Sequence, residues 1–449
     1  AKMRTRSWAL GKTTNGADRM SDHNIQRTSF ALVLALLIAG CSSAPAPSTP
    51  PLSRTAQPEA TAASSSNLKH IDQSALQTML NNTAKELLIP GAIILLLTPQ
   101  GDFTIPYGTT QLGATIPPTA DTYFRIASNT KTMTAALIMQ LAQENKLRLD
   151  DPVSKYIHGV PNGDRITIAE LLDMRSGLYN FSNAPEISAS MDHHPVRAWS
   201  PAQLLAIAFA HKPNFPPGTA FEYNNTNYVL LGLIVEKVGG KPLAQAMKDR
   251  LFDPLHLQHT FLPASSVYTL PNPYSHGYLY GSASVAMVGT PHYSPQLQAA
   301  ARAGTLQPKD FTNLNHSFAA GAGAVVSTAS DLSIWIQALV SGRVLNAEYQ
   351  RRWLDSPQPE DPGKPNGQQY GYGIARTHWG PNTIYFHGGE TAGFNSFIGY
   401  DPGNQVTLVV WTNLTVALDE QPTANTLMLK VLDQIYTVSP LSPPQSVKN

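Results

Sequence analysis

The chain holds a single cysteine, Cys41, in 449 residues, so no internal disulfide can staple it. Charge is also sparse. Only 14% of residues are charged, and 31 Lys+Arg against 30 Asp+Glu leave a net charge of +1 with no long run of either sign. The basic stripe of a nucleic-acid binder is missing, and no nucleic-acid partner is expected. No apolar run reaches the roughly 20 residues needed to cross a bilayer as a helix. There is no internal repeat, and no Gly-x-Ser-x-Gly of the kind that places an α/β-hydrolase nucleophile. Asp192-His193-His194 is the nearest approach to a metal-ligand cluster. It reads as a solvated loop, so neither metal nor other cofactor is expected. What the chain does have is a 42% hydrophobic content, enough for one large core or two coupled ones.

The lone cysteine has a telling position. It directly follows Phe30–Gly40, FALVLALLIAG, an uncharged run preceded by Arg27. That length suits the core of a signal peptide. The run closes on Ile38-Ala39-Gly40-Cys41, which resembles the lipobox of bacterial lipoproteins, where the signal is cut before the cysteine and the thiol carries lipid. Residues 1–40 are therefore expected to be an upstream extension followed by a signal that starts at Met20. Residues 41–67, rich in Pro, Ser and Ala, read as the lipidated cysteine and a flexible tether. On this reading the protein is exported to the cell envelope and membrane-anchored through its N-terminal lipid.

A folded unit is expected over residues 68–437, with a Pro-rich tail at 438–449. Ile71–Leu88 has helical spacing, and GAIILLLTPQGDFTIPYG reads as two strands about a Pro-Gln-Gly-Asp turn. Thr130–Asn145 is helical with Met133, Leu137 and Leu141 on one face. The chain to about Leu257 is mostly helical, and Ser266–Ser317 is loop-rich. Ala329–Val340 is a helix. Gly371–Thr377 and Thr383–His387 then return to strands, followed by a hairpin turning at Pro402-Gly403-Asn404 and a closing helix, Ala424–Ile435. The fold class is mixed α/β of the α+β kind. An antiparallel sheet drawn from both ends of the chain is flanked by helices, with an all-helical insertion beside it.

Three short motifs carry chemistry. Ser128-Asn129-Thr130-Lys131 opens the helix after Ile126 and Ala127. A serine at a helix start faces free N–H groups, and a lysine three residues on shares its face, so the amine reaches the hydroxyl. That pairs a nucleophile with a proton acceptor. A second Ser-x-x-Lys, Ser66 to Lys69, ends the tether and is assigned no chemistry. Tyr223-Asn224-Asn225 is the only Tyr-x-Asn in the chain. His387-Gly388-Gly389 ends an apolar strand and is followed by Glu390. Another His-x-Gly, His378-Trp379-Gly380, reads as a loop feature.

In this order the set resembles the serine penicillin-recognising superfamily, in its class C β-lactamase, D-alanyl-D-alanine carboxypeptidase and family VIII esterase branch. Ile166–Leu178 (ITIAELLDMRSGL), Phe215–Leu243 and Gly321–Trp335 (GAGAVVSTASDLSIW) look like further family segments. The resemblance implies Ser128 as nucleophile, with Lys131 and Tyr223 as the proton-transfer pair, either of which is open as the base. It implies Asn225 as a hold on Lys131 and on a substrate amide oxygen. His387 and Gly389 would line the strand on which substrate lies, and the N–H groups of Ser128 and Glu390 would form an oxyanion hole. Substrates would be small peptides, esters or β-lactams. His in place of a lysine in the third motif points to peptidase or esterase branches rather than a dedicated β-lactamase. Gly388 and Glu390 stand where carboxylate-binding relatives carry hydroxyls. Arg376 and Glu390 each have two orientations open, into the cleft or away from it. A non-catalytic relative that binds cell-wall fragments is the rival reading.

The anchor is directly testable. Wild-type protein is expected to fractionate with membranes, to carry a diacylglyceryl group at Cys41 by mass spectrometry, and to be processed in a globomycin-sensitive way. Cys41→Ser should release it.

Overall fold

The computed structural model describes residues 67–287 and 291–438. Cys41, the tether, Ser66 and the tail from residue 439 lie outside the described residues. Eight strands make one antiparallel sheet: β1 (Gly91–Thr98), β2 (Gly101–Gly108), β3 (Gln358–Pro359), β4 (Gln369–Tyr370), β5 (Ala375–Trp379), β6 (Asn382–Thr391), β7 (Phe394–Asp401) and β8 (Val406–Thr412). Their order across the sheet is β2-β1-β8-β7-β6-β5-β4-β3. The hairpin β1–β2 turns where Pro99-Gln100-Gly101 was expected to turn it, with Thr98 opposite Gly101. The edges come from the two ends of the chain as expected, but the last strand is interior. β8 sits between β1 and β7, pairing Ala92 with Thr412 on one side and Asn395 with Thr412 on the other.

Every residue of β7 and β8 is buried, which requires cover on both faces of the sheet. Helices α1 (Gln73–Glu86) and α5 (Thr423–Ile435) pack on each other and on the sheet. Helix α4 (Ala329–Val340) packs on β1, β7 and β8. Between β2 and β3 the chain builds the helical insertion around α2 (Thr130–Gln143) and α3 (Asn225–Gly239). Short helices join it, two of them opened by reciprocal caps, Thr167 with Glu170 and Ser200 with Gln203.

Helix α2 departs from expectation. Its pattern suggested one apolar face, yet all residues from Thr130 to Met139 are buried, Lys131, Thr132 and Thr134 included. The helix runs through the middle of the insertion, so it has no solvent side. Its buried lysine and threonines find partners inside the protein. Thr134 donates to the Gly321 carbonyl at 2.7 Å, and the Trp335 indole donates to Thr132 Oγ1 at 2.8 Å. Two smaller readings also change. His378 and Trp379 end β5 rather than lying in a loop. Asp192 and His193 end the helix Pro185–His193, where the Asp192 carboxylate accepts from the Ala283 N–H at 3.0 and 3.1 Å.

Candidate active site

Ser128 sits in a single 3-10 turn, Ala127–Asn129, that feeds directly into α2. Ala127 has φ 47°, a left-handed conformation costly for a residue with a Cβ. The turn is held there by neighbours on three sides. Ile126 N–H donates to Val325 O at 3.2 Å. The Asn129 side chain donates to Ile126 O at 3.0 Å and to Ser396 Oγ on β7 at 2.8 Å. β6 passes so close that a Cβ on Gly389 would fall 2.2 Å from Ile126 O. The same Cβ would fall 2.6 Å from Ser396 Oγ and 2.7 Å from Asn129 Nδ2.

Lys131 has no exposed surface. Its amine lies 2.9 Å from Ser128 Oγ, 2.7 Å from Asn225 Oδ1 and 2.7 Å from the Ala322 carbonyl. Burial drives its pKa well below the ordinary lysine value. Asn225 is the first residue of α3. Its own amide donates to Ser182 Oγ at 2.9 Å, and its backbone N–H donates to Asn180 Oδ1 at 3.1 Å. The carbonyl toward Lys131 is thereby fixed in orientation.

Tyr223 lies just before α3, with the Lys131 amine 4.8 Å from its ring centre. Its hydroxyl is buried and faces the Ser128 side chain. Burial raises the phenol pKa far above the ordinary value, and the charges of Glu360 and Glu390 add to that. Ser128 faces it closely enough to pull the other way. Tyr223 therefore stays protonated at neutral pH.

His387 lies behind Tyr223, its ring centre 6.3 Å away, and is fully buried. Nδ1 lies 2.6 Å from the Gly388 carbonyl, which only accepts, so Nδ1 carries the hydrogen. Nε2 then accepts from the Tyr370 hydroxyl at 2.9 Å. Burial and the nearby Lys131 lower its pKa to about 3. His387, expected to line the strand on which substrate lies, is thus a buried neutral group on that strand with both nitrogens engaged. Glu390 lines the cleft, together with Ser128, Phe181, Met287, Phe318 and Thr391. Arg376 turns away. Its Nε donates to Gln369 Oε1 at 2.7 Å, and its remaining contacts are the carbonyls of Leu354 and Pro357.

Ser128, Asn225 and Glu390 thus line one cleft, with Lys131 buried against the first two, Tyr223 beside Lys131 and His387 behind Tyr223. Lys69, of the second Ser-x-x-Lys, binds the Asp433 carbonyl at 2.7 Å instead. Three contributors were not identified from sequence: Tyr370, Ser182 and the Ala322 carbonyl. Ala322 lies in a segment already singled out, but any residue supplies a carbonyl. Nothing in the sequence marks Tyr370.

The Beta-lactamase family profile matches residues 80–433. The chain belongs to that family. Among curated relatives, it is 28% identical over 364 residues to Protein flp of Staphylococcus aureus (strain MW2), covering 77% of this chain and 64% of that protein. It is 25% identical over 371 residues to Unguisins hydrolase ungD' of Aspergillus campestris, covering 78% and 63%. The chain thus spans somewhat under two thirds of the length of these relatives. Among solved structures, a D-stereospecific amidohydrolase from Streptomyces sp. superposes with a TM-score of 0.67 at 29% identity, covering 80% of this chain and 99% of that one. D-amino acid amidase from Ochrobactrum anthropi SV3, complexed with L-phenylalanine amide, gives 0.68 at 25%, covering 81% and 98%. The family and these neighbours place the chain in the serine hydrolase superfamily.

The close approach at Gly389 yields a stability test. Gly389→Ala is expected to cost about 2–3 kcal/mol, as overpacking against rigid backbone does, read as a lowered midpoint in chemical denaturation.

Proposed function

We propose that the chain is an exported, lipid-anchored serine hydrolase that forms an acyl-enzyme on Ser128 and acts on amides or short esters whose leaving side carries no carboxylate. The observation that carries this is the Lys131 amine, 2.9 Å from Ser128 Oγ and otherwise facing two oxygens. Ala322 O and Asn225 Oδ1 can only accept, so a neutral amine spends its two N–H bonds on them and turns its lone pair to the Ser128 hydroxyl. This supports Lys131 as the base.

The steps balance without a cofactor. Ser128 Oγ attacks the carbonyl carbon while its proton passes to Lys131 Nζ. The oxyanion is held by the N–H groups of Ser128 and Glu390. Collapse breaks the C–N or C–O bond, and the leaving group takes a proton from Tyr223, which Lys131 replenishes. Water then attacks the acyl carbon, gives its proton to the amine, and Ser128 leaves reprotonated.

Charge favours the neutral leaving side. Glu390 lines the cleft, Arg376 points to the sheet edge, and His387 is uncharged, so neither Arg376 nor His387 offsets Glu390 when a substrate carboxylate approaches. The amidase and amidohydrolase neighbours support amide chemistry. Phe181, Met287 and Phe318 supply an apolar wall suited to an apolar acyl side chain.

Ser128→Ala is expected to abolish both turnover and covalent labelling by a fluorophosphonate. Acylated Ser128→Ala protein in intact mass spectrometry would refute the assignment. Tyr223→Phe should lower kcat by about 10²–10⁴, whereas a loss of tenfold or less would leave it only a substrate-positioning role.

A separate comparison tests charge. Short p-nitrophenyl esters and a peptide methyl ester or amide should exceed the matching free-carboxylate peptide in kcat/KM by about tenfold or more, with β-lactams poor. Glu390→Gln should narrow that ratio. A wild-type preference for the carboxylate, unchanged in Glu390→Gln, would establish a carboxypeptidase instead.

A further inference from the structure

The start of α3 is zipped onto a second segment, Leu178–Ser182, whose polar groups the reaction above does not use. The Asn224 side chain donates to the Leu178 carbonyl. Thr226 Oγ1 donates to the Tyr179 carbonyl at 2.8 Å and accepts from the Phe181 N–H at 3.0 Å. Between them, Asn225 meets Asn180 and Ser182. Its backbone N–H donates to Asn180 Oδ1 at 3.1 Å, and its side-chain Nδ2 donates to Ser182 Oγ at 2.9 Å. Ser182 Oγ in turn lies 2.9 Å from Asn180 Oδ1. Asn180, Ser182 and Asn225 are all buried, and Lys131 has no exposed surface.

The direction of each bond follows from groups that have no choice. The backbone N–H groups of Asn225 and, at 3.4 Å, of Ser182 both point at one atom of the Asn180 amide. Two donors require an acceptor, so that atom is the oxygen. The Ser182 hydroxyl has one hydrogen, and at 2.9 Å from that oxygen it donates it there. Ser182 then has only lone pairs to offer Asn225, which must answer with Nδ2. Asn225 Oδ1 is thereby turned on Lys131, 2.7 Å from Nζ. The Ala322 carbonyl, also only an acceptor, takes the other hydrogen of a neutral amine at 2.7 Å.

We propose that Ser182, its hydrogen committed to Asn180, is a positioning residue that sets which end of Asn225 meets Lys131 and so keeps the amine lone pair on Ser128. This rests on Lys131 as the base, as proposed above. An ammonium only donates and would enforce the orientation of Asn225 by itself. A neutral amine does not, because it can also accept from Asn225 Nδ2, and its lone pair is then withdrawn from the nucleophile. Ser182 opposes that flip. It would set Asn225 Oδ1 against a buried oxygen with no hydrogen to give. The device therefore acts on the form of Lys131 that does the chemistry. Ser182 lines the cleft, but this role passes through Asn225 and Lys131 rather than through substrate.

The test is the second-order rate of fluorophosphonate inactivation of the full chain across pH, which reads the base without a choice of substrate. Its acid limb reports Lys131, whose pKa burial holds well below the ordinary lysine value. Tyr223, Tyr228 and His387 are the other titratable groups beside that amine. Ser182→Ala is expected to lower the alkaline plateau by about tenfold, with the acid limb in place or lower, since a flipped Asn225 favours the neutral amine. Ser182→Thr keeps the hydroxyl and should recover most of the loss. A Ser182→Ala plateau within about threefold of wild type overturns the proposal. So does an acid limb that rises toward the ordinary lysine range, the mark of water reaching the amine, or a Ser182→Thr variant no faster than Ser182→Ala. Should Ser182→Ala fail to fold, Ser182→Cys, similar in shape and a poorer acceptor, is read in the same way. An unlabelled wild type sinks the Lys131 reading itself, whereas a labelled wild type with an indifferent Ser182→Ala sinks only the role of Ser182.

Discussion

An amine sealed from water at Lys131 is the constraint on which the site depends. A lysine without exposed surface survives only where its hydrogens are taken, and all three of its partners come from different parts of the chain: the nucleophile turn, the start of α3 and the Ala322 carbonyl. The last requires a segment without side-chain bulk. A Cβ on Gly321 would sit 2.9 Å from the Tyr228 carbonyl, so the run Gly-Ala-Gly-Ala is small because backbone must reach an amine between two helices. Packing and protonation state are thus one problem here. Any shift that admits water to Lys131 returns it toward an ordinary ammonium.

The carboxylates of Glu360 and Glu390 and the neutral His387 set the field at Tyr223 beside that amine. Glu390 faces the cleft, Glu360 lies behind Tyr223, His387 is held neutral by Tyr370 and its own backbone, and Arg376 is occupied at the sheet edge. The phenol of Tyr223 keeps its proton in such surroundings, which suits a donor to a leaving group better than a base. The same surroundings disfavour an anionic leaving side, and substrate choice and acid–base roles follow from the same few groups.

Much of this was legible in the sequence, for definite reasons. Strand β1 announces itself as an unbroken apolar run, and α4 begins and ends where Ala329 and Val340 were read. The Ser128, Tyr223 and His387 motifs were visible because their chemistry depends on side-chain type at short spacing. What stayed hidden depended on distant contacts. The all-round burial of α2 is set by what surrounds it. The direction of Arg376 is decided by Gln369 and two carbonyls. The inward turn of His387 needs Tyr370, 17 residues away and two strands across the sheet. The reason for Gly389 lies in a turn more than half the chain away.

The interior place of β8 has a consequence for how the molecule is made. The β1–β2 hairpin is synthesised long before β8, the partner for the other edge of β1. Until Val406–Thr412 exists, Gly91–Thr98 presents an uncovered apolar edge of the sort that pairs with other chains. The sheet cannot close progressively during translation, and such long-range pairing is slow. A chain built this way depends on being kept from self-association until Val406–Thr412 has emerged, and once closed it is locked by a strand made about 300 residues after the one it covers.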